Sequence, residues 1–160
     1  PQAVLTGGYF GTWLTAEVAW TAPMSHPGLR SVGAAMGAGI LIVLPEWCCG
    51  LAETARVVRY LAGESAGQCG PCVFGLPALA DALDDLAYEG GRGDGIARIA
   101  GLIPLIEGRG ACRHPDGATQ LAASALASFG DDAHWHDIEG PCYAVRDPPL
   151  LPVPGDAGSW

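Results

Sequence analysis

The sequence predicts an α+β chain: a short β-containing N-terminal stretch, then an antiparallel bundle of four short helices. Three observations carry this. The run Ile40-Leu41-Ile42-Val43-Leu44 is continuous, rich in β-branched residues and bounded by Pro45, the pattern of a buried strand. From Leu51 the period changes: Leu51, Thr54, Ala55, Val58, Leu61 and Ala62 recur at helical spacing. Further helical stripes follow, separated by polar, glycine-rich loops that carry cysteine.

Residues 3–5 and 9–14 read as short strands around Gly7-Gly8, and Gly11 allows a bend or a close backbone approach. Residues 21–27 form a proline-punctuated loop, and residues 33–39 are glycine and small residues. A helix is predicted over residues 51–62, with Arg56 and Arg59 outward and Gly63 as its stop. Residues 64–72 are too glycine-rich to be regular, and Pro71 suits the start of the next helix. There Leu76, Leu79, Leu83 and Leu86 face inward while Asp81, Asp84 and Asp85 face water. A glycine-rich turn over residues 88–95 leads to a third stripe, Ile96, Ile99, Leu102, Ile103 and Ile106, kinked at Pro104. The loop 107–116 carries Cys112. A fourth helix takes Asp116 as N-cap and turns Leu121, Ala125, Leu126 and Phe129 inward. Beyond residue 131 the period fades, and residues 147–160 are rich in proline and glycine. The expected division is a β-containing part at 1–45, a helical part at 46–135 and an irregular tail at 136–160. Antiparallel packing would bring both cysteine-bearing loops to one end of the bundle.

Of the 160 residues, 49% are hydrophobic, enough for a core without disulfide staples. A formal net charge of -9 repels nucleic-acid phosphate, so no nucleic-acid partner is expected. The longest apolar run, residues 38–44, is too short to span a bilayer, and no basic cluster marks a membrane surface. Direct membrane insertion is therefore not expected. Nothing resembles a secretory leader, which points to a reduced, cytoplasmic setting. Pro1 is not an initiator methionine, and strand begins at once, so the sequence reads as a piece of a longer protein.

In a reducing compartment six irregularly spaced cysteines favour metal or redox work over a disulfide framework. Cys69 and Cys72 form a C-x-x-C pair, whose turn can point both sulfurs at one metal or one cluster edge. Cys112 lies remote in the loop after the third helix; a close cysteine group plus a remote cysteine is a common way to hold an iron–sulfur cluster. The pair alone has other readings. Cys69-Gly70-Pro71-Cys72 has the tetrapeptide of a thioredoxin-type dithiol, although a helix rather than a strand precedes it and Gln68 replaces the usual tryptophan. The same three cysteines with His114 could hold structural zinc. A plain helix start is the bland reading.

The segment Glu64-Ser65-Ala66-Gly67-Gln68-Cys69-Gly70-Pro71-Cys72 resembles the E-S-C-G-x-C-x-P-C cluster motif of the NADH-binding flavoprotein subunit of bacterial respiratory complex I. Related subunits occur in NAD-linked hydrogenases and formate dehydrogenases. The resemblance runs from about residue 7 to residue 131. It includes Gly37-Ala38-Gly39 before the strand, Ala52-Glu53-Thr54-Ala55-Arg56, and Ile106-Glu107-Gly108 ahead of Cys112. It implies that Cys69, Cys72 and Cys112 are three of the four ligands of a [4Fe–4S] cluster. It implies that residues 1–45 are the end of a β-grasp (SLBB-like, soluble-ligand-binding) domain and that the four helices are the cluster-binding bundle. FMN and NADH would bind only in an upstream domain that this chain lacks. The partners implied are other redox subunits of an NADH dehydrogenase-type complex, through which a cytoplasmic chain would associate with a membrane. No catalytic residue is expected.

One departure stands out: the family's first cluster cysteine falls on Ala66, which offers no donor, and Val73 replaces a common arginine. The fourth ligand could instead be Cys49, Cys48, Cys142, His114, Ser65 or Glu64. The cluster could keep an open iron site, persist with three irons, or be lost and leave a scaffold. Cys49 aligns with a family cysteine that is not a ligand and reads as a small buried apolar residue. The H-x-H pattern of His134 and His136, with Trp135 and Asp137, reads as a solvated helix end. The segment Gly7-Gly8-Tyr9-Phe10-Gly11 lacks a lysine and a strand-to-helix context, so it reads as a turn and not a phosphate loop. Trp13, Trp20 and Trp47 read as core or interface residues.

Overall fold

The computed structural model describes residues 1–154. β1 (Ala3–Thr6) lies between β2 (Thr12–Thr15) and β3 (Leu41–Leu44) and is antiparallel to both. Gly7 and Gly8 turn the chain with φ of 89° and 84°, which only glycine adopts freely. The expected buried strand at 40–44 is an edge strand instead. Leu44 is buried, but Leu41 and Val43 are about half exposed, because β3 pairs on one side only and covers one face. The expected loop at 21–27 also differs. It holds only at residues 22–25, between two helices, α1 (Ala16–Thr21) and α2 (His26–Ser31). Ser25 caps α2 by accepting the Gly28 amide at 3.1 Å, and Pro27 sits in the first turn, where a missing N–H costs nothing.

The helical part runs α3 (Gly50–Gly63), α4 (Leu76–Asp84), α5 (Gly95–Ile106), α6 (His114–Ser128) and α7 (Gly130–Glu139). Wide π-helical turns flank α4 at Pro71–Gly75 and Asp85–Glu89, and a short 3-10 turn follows at Tyr143–Arg146. Pro104 lies inside α5. α7 leaves no legible period, since its buried side consists of Ala133, His136 and Asp137. It crosses the expected boundary at residue 136. The part of the tail at 155–160 lies outside the described residues. Asp84 and Asp85 are not merely solvated: Arg59 binds Asp84 at 2.5 Å and Asp81 at 2.6 Å, and Arg98 binds Asp85 at 2.5 Å.

Sheet and helices share one core. Leu5, Trp13 and Leu44 pack in the same cluster as Leu51, Val58, Leu76, Leu79, Leu83 and Ile99. The Trp13 indole N–H donates to Thr54 Oγ1 at 2.9 Å, and its ring meets Phe129 edge-on at 5.3 Å. A Cβ on Gly50 would come 2.3 Å from the Phe129 ring, so α3 and the end of α6 approach only through glycine. Trp20 and Trp47, by contrast, are exposed.

Candidate metal centre

The loop after α3 begins with Glu64 as C-cap, its amide donating to the Tyr60 carbonyl at 3.0 Å. Gly67 then takes φ of 62° and turns the chain toward Cys69. The Cys69 carbonyl accepts the amides of Cys72 at 3.1 Å and Val73 at 2.9 Å, so the C-x-x-C pair opens a helix. Pro71 supplies the donor-free first position. The Leu76 amide reaches back five residues to the Pro71 carbonyl, which widens the turn around Cys72.

One contact brings the second cysteine loop to this turn. A Cβ on Gly75 would lie 2.6 Å from Ile106 Cγ1, so glycine lets the end of α5 press against the Cys72 turn. Asp116 then clamps the loop itself: its carboxylate accepts the Gly108 amide at 2.8 Å and faces Arg113 at 3.0 Å. Asp116 is therefore not the N-cap of α6. Arg113 occupies that position without a side-chain cap, and Asp116 spends its oxygens on the Cys112 loop.

The electrostatics agree with this convergence. The Cys69 thiol is held below its usual range, chiefly by a hydrogen bond from the Ala111 amide and next by that of Cys72. Burial pushes the Cys72 thiol up to about 11, and its hydrogen bond with Cys69 and the charges of Cys69 and Cys112 add to the rise. Cys72 is buried, Cys69 half-buried and Cys112 exposed.

The six residues considered as a fourth donor separate cleanly. Ala66 is exposed, and its carbonyl accepts the Gln68 side-chain amide at 3.2 Å. Glu64 and Ser65 lie in the same loop. His114 opens α6 beside this loop pair, but its Nε2 lies 2.7 Å from the Leu61 carbonyl and its ring meets Phe10 at 5.4 Å. Cys48 and Cys49 precede α3, whose fourteen residues span about 21 Å at 1.5 Å per residue, so they lie at the opposite end from Cys69. Cys142 lies with Cys49. There Cys49 Sγ, a ring nitrogen of His136 and Cys142 Sγ all fall within 4.8 Å of one another. His136 is 1% exposed, which overturns its reading as a solvated helix end. Its neighbour Asp137 is buried too, accepting the amides of Gly93 at 3.2 Å and Gly95 at 2.9 Å. His134, two residues earlier on the same helix, stays exposed.

Two cysteine-bearing loops at one end of a helical core are the arrangement of a metal- or cluster-binding protein. The family model of the NADH-ubiquinone oxidoreductase-F iron-sulfur binding region matches residues 52–136, just over half of the sequence, and the chain belongs to that family. The F-type subunit of NADH-quinone oxidoreductase from Streptomyces coelicolor is 26% identical over 71% of this chain and 25% of the relative. The second F-type subunit of the same enzyme from Rhizobium meliloti is 28% identical over 88% of this chain and 33% of the relative. The mitochondrial NADH dehydrogenase [ubiquinone] flavoprotein 1 of Dictyostelium discoideum is 28% identical over 80% and 27%. The chain thus spans about a quarter to a third of the relatives it matches. It is an iron–sulfur region of the NADH dehydrogenase flavoprotein type, and the family implies a 4Fe–4S cluster and electron transfer. Cys69, Cys72 and Cys112, close enough for the charges of Cys69 and Cys112 to act on the Cys72 thiol, would supply three ligands to such a group. Each cysteine of a cubane binds a different iron, so its ligands stand farther apart than those of a single ion. Ala66, which stands where the resembling motif has its first cysteine, offers no donor.

Proposed function

We infer that Cys69, Cys72 and Cys112 hold an iron–sulfur cluster that relays electrons from a reduced flavin to a partner redox subunit. The observation that carries this is the close packing of Gly75, three residues after Cys72, against Ile106 at the end of α5, which sets the loop of Cys112 beside the C-x-x-C pair. When bound, the cluster supplies a one-electron carrier. The chain's own residues do the rest. Three thiolates hold the group, the amides of Ala111 and Cys72 offset charge on the Cys69 sulfur, and burial of Cys72 keeps water from one side. The fourth iron lacks a cysteine, and Glu64 and Ser65 beside Ala66 are the neighbouring oxygen donors.

FMN and NADH belong to an upstream domain, with residues 1–45 the end of a β-grasp unit between the two. The partners are other redox subunits of an NADH dehydrogenase-type complex, and the setting is cytoplasmic, against a membrane through that complex. Among the described residues no helix is long and apolar enough to cross a membrane. The test is iron and acid-labile sulfide in protein purified without oxygen, with zinc measured on the same sample. Iron and sulfide in comparable amounts that vanish in Cys69→Ser support the reading; metal-free protein would sink it. A dithiol is the second reading, favoured by the unequal pair: Cys69 lowered and accessible, Cys72 raised and buried. That reading requires a Cys69–Cys72 disulfide in air-exposed, iron-free protein.

A further inference from the structure

We propose that Cys49, His136 and Cys142 form a second, separate metal site, for Zn²⁺ or a similar borderline-soft divalent cation. The three ligand atoms lie within 4.8 Å of one another, and Cys49 Sγ is 3.8 Å from His136 Nε2. A zinc ion with Zn–S of about 2.3 Å and Zn–N of about 2.05 Å at the tetrahedral angle sets sulfur and nitrogen roughly 3.6 Å apart. The observed spacing is already that of two ligands on one ion.

The surroundings favour a cation. His136 Nδ1 lies 3.2 Å from the Leu86 carbonyl, which can only accept, so Nδ1 carries the proton and Nε2 its lone pair. A histidine whose far nitrogen is fixed by a backbone carbonyl is the arrangement that orients metal ligands. The lone pair now accepts the Cys142 amide at 3.2 Å. That amide lies in the loop beyond Gly140, outside any helix, and moves off the lone pair when an ion binds. Cys49 is the N-cap of α3, and its sulfur accepts the Ala52 amide at 3.5 Å, a position that favours thiolate. Without a cation, burial keeps this thiol protonated, its pKa pushed up to about 12. Two thiolates, a neutral imidazole and a dication sum to zero charge, which suits a buried site. Two sulfurs and one nitrogen as the donor set select zinc over harder cations. Cys142 is half-buried, which leaves the fourth position to water. The ion would clip the start of α3 to α7 and to the chain beyond it.

The site shares no residue with the cysteine loops, so the two can be tested apart. The probe is Co²⁺ added to reduced, metal-free full chain, read by thiolate-to-cobalt charge-transfer absorption. The Cys69→Ser/Cys72→Ser/Cys112→Ser variant, which has no cluster ligands left, should still take up one Co²⁺ and release it to Zn²⁺. Adding Cys142→Ser should weaken that binding at least about 100-fold, the most that even a supporting residue contributes, with the far-ultraviolet circular dichroism unchanged. Absence of uptake in the folded triple variant would overturn the proposal, as would uptake indifferent to Cys142→Ser and His136→Gln. Should the triple variant fail to fold, zinc in the wild-type chain decides. Zinc beyond the iron that disappears in Cys142→Ser supports the site; equal zinc in both overturns it.

Discussion

A single methyl group decides the character of the cluster end. Ala66 stands where the related motif has cysteine, in a loop whose neighbours are already set: Gly67 at positive φ, Cys69 opening the next helix, and the Ala111 amide on the Cys69 sulfur. Among the described residues no other cysteine fills the gap, because Cys48, Cys49 and Cys142 lie at the far end of α3. Ala66 is exposed, so a thiol there meets no steric barrier. Ala66→Cys should therefore complete the donor set and slow loss of iron in air by roughly tenfold or more. The bleaching rate of the visible absorption measures it, and an unchanged rate would mean that a donor other than cysteine already fills the fourth corner. The three cysteines are legible by spacing and motif. His136 is not, because burial of a histidine on a short, weakly periodic helix leaves no mark in a single sequence. Asp116 misleads for a related reason. An acid near a helix start suits an N-cap, yet here a preceding loop offers the Gly108 amide as a better partner.

At the scale of elements, the period of apolar residues locates α3 through α6, while the ends of those helices depend on contacts that no local pattern records. α4 is prolonged at both ends by π turns, and each serves a contact. The first sets Cys72. The second presents Tyr88, whose hydroxyl donates to the Ala52 carbonyl of α3 at 3.2 Å. Burial, then the charge of Asp84, push the Tyr88 pKa up to about 12 from 10.0. The folded chain therefore holds this proton more tightly than the unfolded one. The stabilisation is complete below pH 10 and is lost as pH rises toward 12. Tyr88→Phe should lower stability by about 1 kcal/mol at neutral pH, the worth of one hydrogen bond. It should also flatten the fall above pH 10. Urea unfolding of metal-free protein at several alkaline pH values reads both effects, and an unchanged alkaline slope would remove Tyr88 as its cause. The edge strand β3 marks the opposite limit of sequence reading. An apolar run tells of strand but not of which neighbours will cover it, and Leu41 and Val43 remain open.

Across the whole molecule the chain closes on itself through α3. The proline-rich segment after the 3-10 turn has the composition of an irregular tail, yet Leu151 and Val153 are buried in the common core. The device that seats them is a buried carboxylate. Glu53, 5% exposed on α3, accepts the amides of Leu150 at 2.9 Å and Leu151 at 2.8 Å and pairs with Arg56 at 3.0 Å. Arg56 in turn donates to the Leu151 carbonyl at 2.9 Å, and the Tyr9 hydroxyl donates to the Pro152 carbonyl. A buried carboxylate is tolerated here because each oxygen has a donor, two from backbone amides and one from the Arg56 guanidinium. Removing the carboxylate leaves the two amides short of an acceptor and takes one partner from Arg56. Glu53→Ala should cost about 3 kcal/mol, within the range for breaking a buried, hydrogen-bonded ion pair. Glu53→Gln, which keeps one acceptor but loses the charge, should cost less. Because the contacts span residues far apart in sequence, the loss should appear in two ways: a lower global stability by urea unfolding, and faster proteolysis between Arg146 and Leu151. Rapid cleavage with undiminished global stability would show that the segment is seated locally and lies outside the cooperative core.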